Sequence, residues 1–193
     1  MVDHGAGAVT ELWLVRHGQT AWSRQRRHTG RTDLPLEPEG EEDARRLAKA
    51  LAGTSFDLVL ASPLQRAWRT AELAGLHPVA EPRAVEWDYG DYEGMTSEEI
   101  HRSVPGWTVW THPLPGGETL DQVGARADAV LAGIRERDPT RCLLVSHGHF
   151  LRVLAARWIE QSSALGAHLD LEPARPCVLG NDRGVPWIHR WNA

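Results

Sequence analysis

Arg16, His17 and Gly18, followed at once by Gln19 and Thr20, form the run best suited to chemistry in this chain. A guanidinium brings fixed charge and a donor fork that fits phosphate oxygens. Glycine lets backbone approach a ligand closely. Imidazole is a nitrogen nucleophile or a proton carrier near neutral pH. Two further clusters carry matching groups: Ser62 to Arg66, and Ser146, His147, Gly148 and His149. Together they offer two histidines and two arginines to one anion.

Such groups act only if the fold brings them together. Leu12–Val15, Asp57–Ala61 and Cys142–Val145 are short apolar runs that read as buried strands. Each polar cluster follows one of them, and parallel sheets bind ligands outside the carboxyl ends of their strands. Helices are predicted over Glu37–Ala52, from Ser62 to about Ala74, and over Ser97–Val104, Thr119–Arg137 and Phe150–Ile159. Ser62 and Pro63 read as the cap and first residue of the second of these, whose positive end would face the rim. Pro78–Ala80 reads as a short strand, and Pro176–Leu179 with Val185–Trp191 as a terminal hairpin. The alternation predicts an α/β fold, three-layer α/β/α with a mostly parallel central sheet, in one domain over residues 1–193. Residues 81–118, rich in glycine, proline, acids and tryptophan, form the longest irregular region.

Bulk properties narrow the function. The net charge of -5 provides no global field for nucleic acid, so any anion site must be local. Arg24, Arg26, Arg27 and Arg31 crowd the first third and are candidates for it. Hydrophobic residues at 41% and charged residues at 24% fit an ordinary soluble globular protein. Residues 1–10 do not read as a signal peptide, and no run approaches the roughly 18 apolar residues of a membrane span. Cys142 and Cys177 lie in separate apolar segments and read as buried free thiols of a cytoplasmic protein. Trp13, Trp68 and Trp158 read as core, and Trp87, Trp107 and Trp110 as pocket walls.

Five ordered segments carry a resemblance: Leu14–Thr20, Ser62–Ala67, Glu86–Gly94, Pro115–Glu118 and Val145–His149. In these the chain resembles the histidine phosphatase superfamily, in the branch of cofactor-dependent phosphoglycerate mutases and related small phosphatases. The resemblance implies a phosphoglycerate mutase-like fold. It also implies that His17 becomes phosphorylated, that Arg16 and Arg66 grip the phosphoryl oxygens, and that His147 is a further charged donor. Glu86 is the implied proton donor to the leaving oxygen. Thr29 and Gly30 match the loop that closes over phosphate, Gln19 stands where relatives have Glu or Gln, and Ser23 where many carry Asn. Gly148 and His149 complete the substrate side, with His149 a helix-start residue or pocket wall. His28 and Arg24 are placed within reach of substrate.

The chemistry is coherent without the family. Phosphoryl transfer spreads negative charge over equatorial oxygens, so cationic donors and positioning do most of the work. A nitrogen can attack phosphorus in line if the other ring nitrogen is held by a hydrogen bond. Glu86 would protonate the leaving alkoxide and then activate water, provided it sits out of bulk water behind Trp87 and Tyr89. No metal or cofactor is expected: the arginines take the place of magnesium, and His147 and His149 lack a zinc signature. Asp88 and Glu93 read as solvated loop acids, with Asp88 a rival proton donor. Ser62 reads as a cap, because no nucleophile elbow surrounds it.

The leading expectation is hydrolysis of small phosphomonoesters, as by an acid phosphatase or sugar-bisphosphatase. The rival is a phosphoglycerate mutase. Between Glu86 and His147 only Arg102, Arg126, Arg135, Arg137 and Arg141 could hold a carboxylated intermediate, which favours water as acceptor. A noncatalytic binder of phosphorylated ligands is a third option. For a sugar bisphosphate, Arg24, Arg26, Arg27, Arg31 and Arg102 are the expected second cationic patch. The expected partner is a small phosphorylated metabolite, without nucleic acid or membrane. The sequence leaves the oligomeric state open, a homodimer among the options.

Overall fold

The computed structural model describes residues 11–193. The expectation for residues 1–10 lies outside the described residues. Six strands form one sheet in the order β3-β2-β4-β1-β5-β6. They are β1 (Glu11–Arg16), β2 (Leu58–Ala61), β3 (Val79–Ala80), β4 (Arg141–Ser146), β5 (Pro176–Asp182) and β6 (Val185–Arg190). The first four are mutually parallel, and β5 and β6 run antiparallel as a hairpin at one edge.

Alternation along the central strands separates two cores. Leu12 and Leu14 of β1, with Cys142 and Leu144 of β4, face α5 (Leu120–Glu136) and α6 (Gly148–Trp158). Trp13, Val15, Leu143 and Val145 face α2 (Pro38–Ala50) and α3 (Gln65–Leu73). Successive strand residues point to opposite faces, so a strand covered on both sides must be apolar throughout. That is the reason for the uninterrupted runs, and the result is the three-layer α/β/α arrangement. Both thiols are free and buried. No helix among the described residues is long and apolar enough to cross a membrane.

The boundaries differ from expectation where distant groups intervene. The second helix begins at Gln65 rather than beside Ser62, because Asp33 accepts the Gln65 N–H at 2.9 Å from 32 residues away. This bond occupies a donor at the positive end of α3 that was expected to face ligand. The helix expected over Ser97–Val104 stops at His101 as α4 (Ser97–His101), and a short α1 (Ala21–Arg24) appears where no apolar period announces one. Thr20 and Ser23 cap α1 reciprocally.

Trp87 and Trp107 are 1% and 2% exposed, packed in the core between the 81–118 region and α5 and α6. Rings of this size fill space that the irregular backbone leaves open. Neither they nor Trp110 lines the cavity that holds His17, but Trp87 and Trp110 wall a separate cavity of about 250 Å³, so the expectation of pocket walls holds for those two. Trp13 and Trp158 are core as expected, and Trp68 is half-buried against the α2–α3 side.

Candidate active site

Strand register assembles the site. Arg16 pairs with Ser146 and Ala61 with Val145, so all three polar clusters leave the sheet at one level. The His17 N–H donates to the Ser146 carbonyl at 2.9 Å, and the Ser62 N–H to the Val145 carbonyl at 3.0 Å. The His17 and His147 rings consequently meet edge to face, 5.1 Å between centroids. Gly18 is pressed against Gly40, where an added Cβ would stand 2.4 Å from the Gly40 carbonyl oxygen. Its N–H donates to Thr70 Oγ1, which in turn donates to the Arg66 carbonyl. The turn carrying His17 is thereby fixed from two sides.

The protonation states follow from the partners. His17 Nδ1 lies 2.7 Å from the Gly18 carbonyl, an acceptor only, so Nδ1 carries the proton. Nε2 keeps its lone pair and makes no hydrogen bond among the described residues. Burial, then Arg66 and Arg16, hold the His17 ring neutral well below the usual histidine range. Arg66 Nε donates to His147 Nδ1 at 3.2 Å, which leaves the His147 proton on Nε2, donated to Ser62 Oγ at 2.8 Å. Burial, then Arg66, hold the His147 ring well below the usual histidine range too.

A cavity of about 320 Å³ opens over these groups. Arg16, His17, Glu86 and Gly148 are among the residues that line it. Arg16 is anchored by donation to the Leu171 carbonyl at 2.9 Å, while its buried Nε has no partner. That orphan donor faces Gly148, where a Cβ would stand 3.4 Å away. A buried guanidinium N–H left unsatisfied is costly, and an anion in the cavity would satisfy it.

Arg66 is directed elsewhere. It is wholly buried and donates to the carbonyls of Thr29, Gly30 and Thr32 as well as to His147, so it does not line the cavity. These donors clamp the 29–32 loop, because a buried guanidinium must place its N–H groups. Glu93 completes the clamp by accepting from the N–H groups of Gly30 and Thr32. It is therefore a loop anchor, not the solvated acid expected.

Glu86 is buried with its carboxylate at the start of α6. Oε1 accepts from the N–H groups of Trp87 and Phe150 at 2.9 Å each, and Oε2 from His149 at 3.1 Å. One lone pair of Oε2 remains to carry a proton toward the cavity. Asp88 accepts from Gly90, pairs with Arg31 at 2.6 Å and does not line the cavity, which removes it as a rival.

Ser23, Thr29 and His149 line the cavity as expected, as does His28. Tyr89 OH lies 2.6 Å from His149 Nδ1 and fixes that ring. Gln19 points to Glu37, and Gly30 has its N–H on Glu93 and its carbonyl on Arg66; neither lines the cavity. Arg24 pairs with Glu37, away from substrate. The second cationic patch is dispersed: Arg24, Arg27, Arg31 and Arg102 pair with Glu37, Glu99, Asp88 and Glu98. Arg26 and Arg27 still line the cavity, joined by Arg152 and Asp170, which sequence reasoning missed. The signal for Arg152 was a cation set among Leu151, Val153 and Leu154 just after His147.

The neutral rings have a consequence for stability. His17, His147 and His149 are shifted well down from 6.5, and burial brings His28 to about 4. Below 6.5 the unfolded chain binds protons that the folded chain refuses, so stability present above that pH is lost as the pH falls, for His28 down to about 4. Urea midpoints should therefore be lower at pH 5 than at pH 7.5. Equal midpoints would contradict neutral burial of these rings.

Comparison with known proteins agrees with this geometry. The family model for the histidine phosphatase superfamily (branch 1) matches residues 12–193, and the chain belongs to that family. It is 42% identical over 179 residues to an acid phosphatase of Mycobacterium tuberculosis, covering 90% of this chain and 88% of that one. It is 34% identical to a sedoheptulose 1,7-bisphosphatase of Saccharomyces cerevisiae, over 75% of this chain and 66% of that one. A relative from Enterobacter at 31% identity, over 77% of this chain and 74% of its own, is named probable phosphoglycerate mutase GpmB. Among solved structures, that of a Mycobacterium tuberculosis open reading frame superposes with a TM-score of 0.89 at 38% identity, covering 96% of this chain and 98% of that one. The chain is accordingly a phosphoric monoester hydrolase of the phosphoglycerate mutase-like fold.

Proposed function

We propose that the protein hydrolyses small phosphomonoesters in two steps at His17. The observation that carries this reading is the open Nε2 of a neutral His17 beside the unpartnered Nε of Arg16, in one cavity with Glu86. Phosphate oxygens accept from Arg16, and Nε2 attacks phosphorus as the ester oxygen leaves. Glu86 Oε2 delivers the proton to that oxygen, and the resulting carboxylate takes a proton from the water that cleaves phosphohistidine. The Gly18 carbonyl stabilises the positive ring through Nδ1–H during transfer. Arg66 and His147 act as positioning residues, the first on the 29–32 loop and the second beside His17.

Names among the relatives keep the mutase as the second reading. Arg126, one of the cations that could have held a carboxylated intermediate, is committed to Glu118 and to the carbonyls of Arg83, Val85 and Glu86, outside the cavity, which supports water as acceptor. The partner is a small phosphorylated metabolite. The two buried free thiols support a reducing compartment, the cytoplasm. Incubation with phosphoglycerates and sugar phosphates should release inorganic phosphate in step with ester loss. Interconversion of 3- and 2-phosphoglycerate with little free phosphate would overturn hydrolysis.

A further inference from the structure

Besides Arg16, His17 and Glu86, the cavity is lined by Arg26, His28, Tyr89, His149, Arg152 and Asp170. Two of these groups are held and still unspent. Arg152 lies over the Trp110 ring, 4.7 Å from its centroid, and donates Nε and one terminal nitrogen to the carbonyls of Gly166 and Ala167. Its other terminal nitrogen has no partner among the described residues. The backbone of Asp170 is fixed through its carbonyl, which accepts from Trp191 Nε1 and from Asn192 Nδ2. Its carboxylate makes no hydrogen bond or ion pair among the described residues. Next in sequence, the Leu171 carbonyl anchors Arg16, so Asp170 belongs to the wall beside Arg16.

Charge decides what this cavity can accept. Arg27 is neutralised by Glu99. With Glu86 protonated for the acid step, the charges left on the lining are three guanidiniums without an ion-pair partner among the described residues (Arg16, Arg26 and Arg152) and one carboxylate (Asp170). One phosphomonoester, carrying about 1.5 to 2 negative charges near pH 7, already balances that positive excess. A second acidic group would lie against the unpaired carboxylate of Asp170. A hydroxyl meets no such penalty: it donates to Asp170 and accepts from the free nitrogen of Arg152. The His28 and His149 rings, stacked with 6.1 Å between centroids, line the same cavity.

We propose that Asp170, with Arg152, determines specificity by selecting phosphomonoesters of hydroxyl-bearing, uncharged alcohols over esters carrying a second acidic group. This rests on the hydrolytic reading above. The test uses the full chain and its Asp170→Asn variant, with phosphate release measured from a hexose 6-phosphate and from the matching 1,6-bisphosphate. The wild-type kcat/KM should favour the monophosphate. Asp170→Asn should raise the bisphosphate-to-monophosphate ratio by about tenfold, the scale of one unit charge near a protein surface. Raising salt to about 0.5 M should lift the wild-type ratio more than the variant's, because screening weakens the same repulsion. A ratio that moves by less than about threefold in the variant, in a chain that still hydrolyses p-nitrophenyl phosphate, overturns the role of Asp170 and leaves hydrolysis standing. Failure of the wild-type chain to release phosphate from any of the three esters overturns both.

Discussion

His17→Ala is expected to lower kcat/KM for every phosphomonoester by about 10⁴-fold or more, equivalent to about 5.5 kcal/mol of lost transition-state stabilisation. The reason is local. His17 Nδ1–H is committed to the Gly18 carbonyl at 2.7 Å, and burial beside Arg66 and Arg16 keeps the ring neutral. His147 offers no equivalent nitrogen. His147 Nε2 bears a proton that goes to Ser62, and His147 Nδ1 already accepts from Arg66. His149 Nδ1 is occupied by Tyr89 OH. The variant should keep its fold, because the one side-chain hydrogen bond of His17 among the described residues goes to its chain neighbour Gly18. Steady-state rates with unchanged circular dichroism would check it. A loss below about tenfold would mean that another group attacks phosphorus.

Glu86→Gln is expected to divide substrates by leaving group. Alkyl phosphates should lose about 10³-fold in kcat/KM, within the usual range for a positioned general acid, and p-nitrophenyl phosphate much less. An alkoxide needs a proton as it leaves, whereas nitrophenolate departs without one. The geometry assigns that proton to Oε2, since both lone pairs of Oε1 are filled by the N–H groups of Trp87 and Phe150. In the variant an amide NH₂ would face the His149 N–H or one of the Oε1 donors, so some stability is lost as well. The ratio between the two esters separates this structural cost from the chemical one. Equal losses for both would remove Glu86 as the acid.

The parts of the molecule that were legible in sequence are those governed by nearest neighbours and by burial on two faces. Leu12–Val15 and Cys142–Val145 announce themselves because a strand covered on both sides tolerates no polar residue. The clusters after them could be assigned to one rim because parallel register carries Arg16 to Ser146. Contacts across long separations were not legible. Glu93 looked like a solvated acid because the N–H groups it holds, on Gly30 and Thr32, are 63 and 61 residues away. Arg66 was recognised, but its direction was not, since that depends on the carbonyls the 29–32 loop presents. The arginine run from Arg24 to Arg31 resembled one patch until Glu37, Glu99 and Asp88 neutralised three of its members. Asp170 carried no signal, because nothing in the sequence ties it to the Arg16 anchor at Leu171.

Rapid mixing of enzyme with substrate, quenching under alkaline denaturing conditions and ³¹P NMR of the isolated peptide tests the account most directly. The expected species is phosphate on Nε2 of His17, formed as fast as the first turnover and lost at the rate of phosphate release. Turnover without any phosphopeptide, or phosphate on His147 or on Nδ1 of His17, would contradict it.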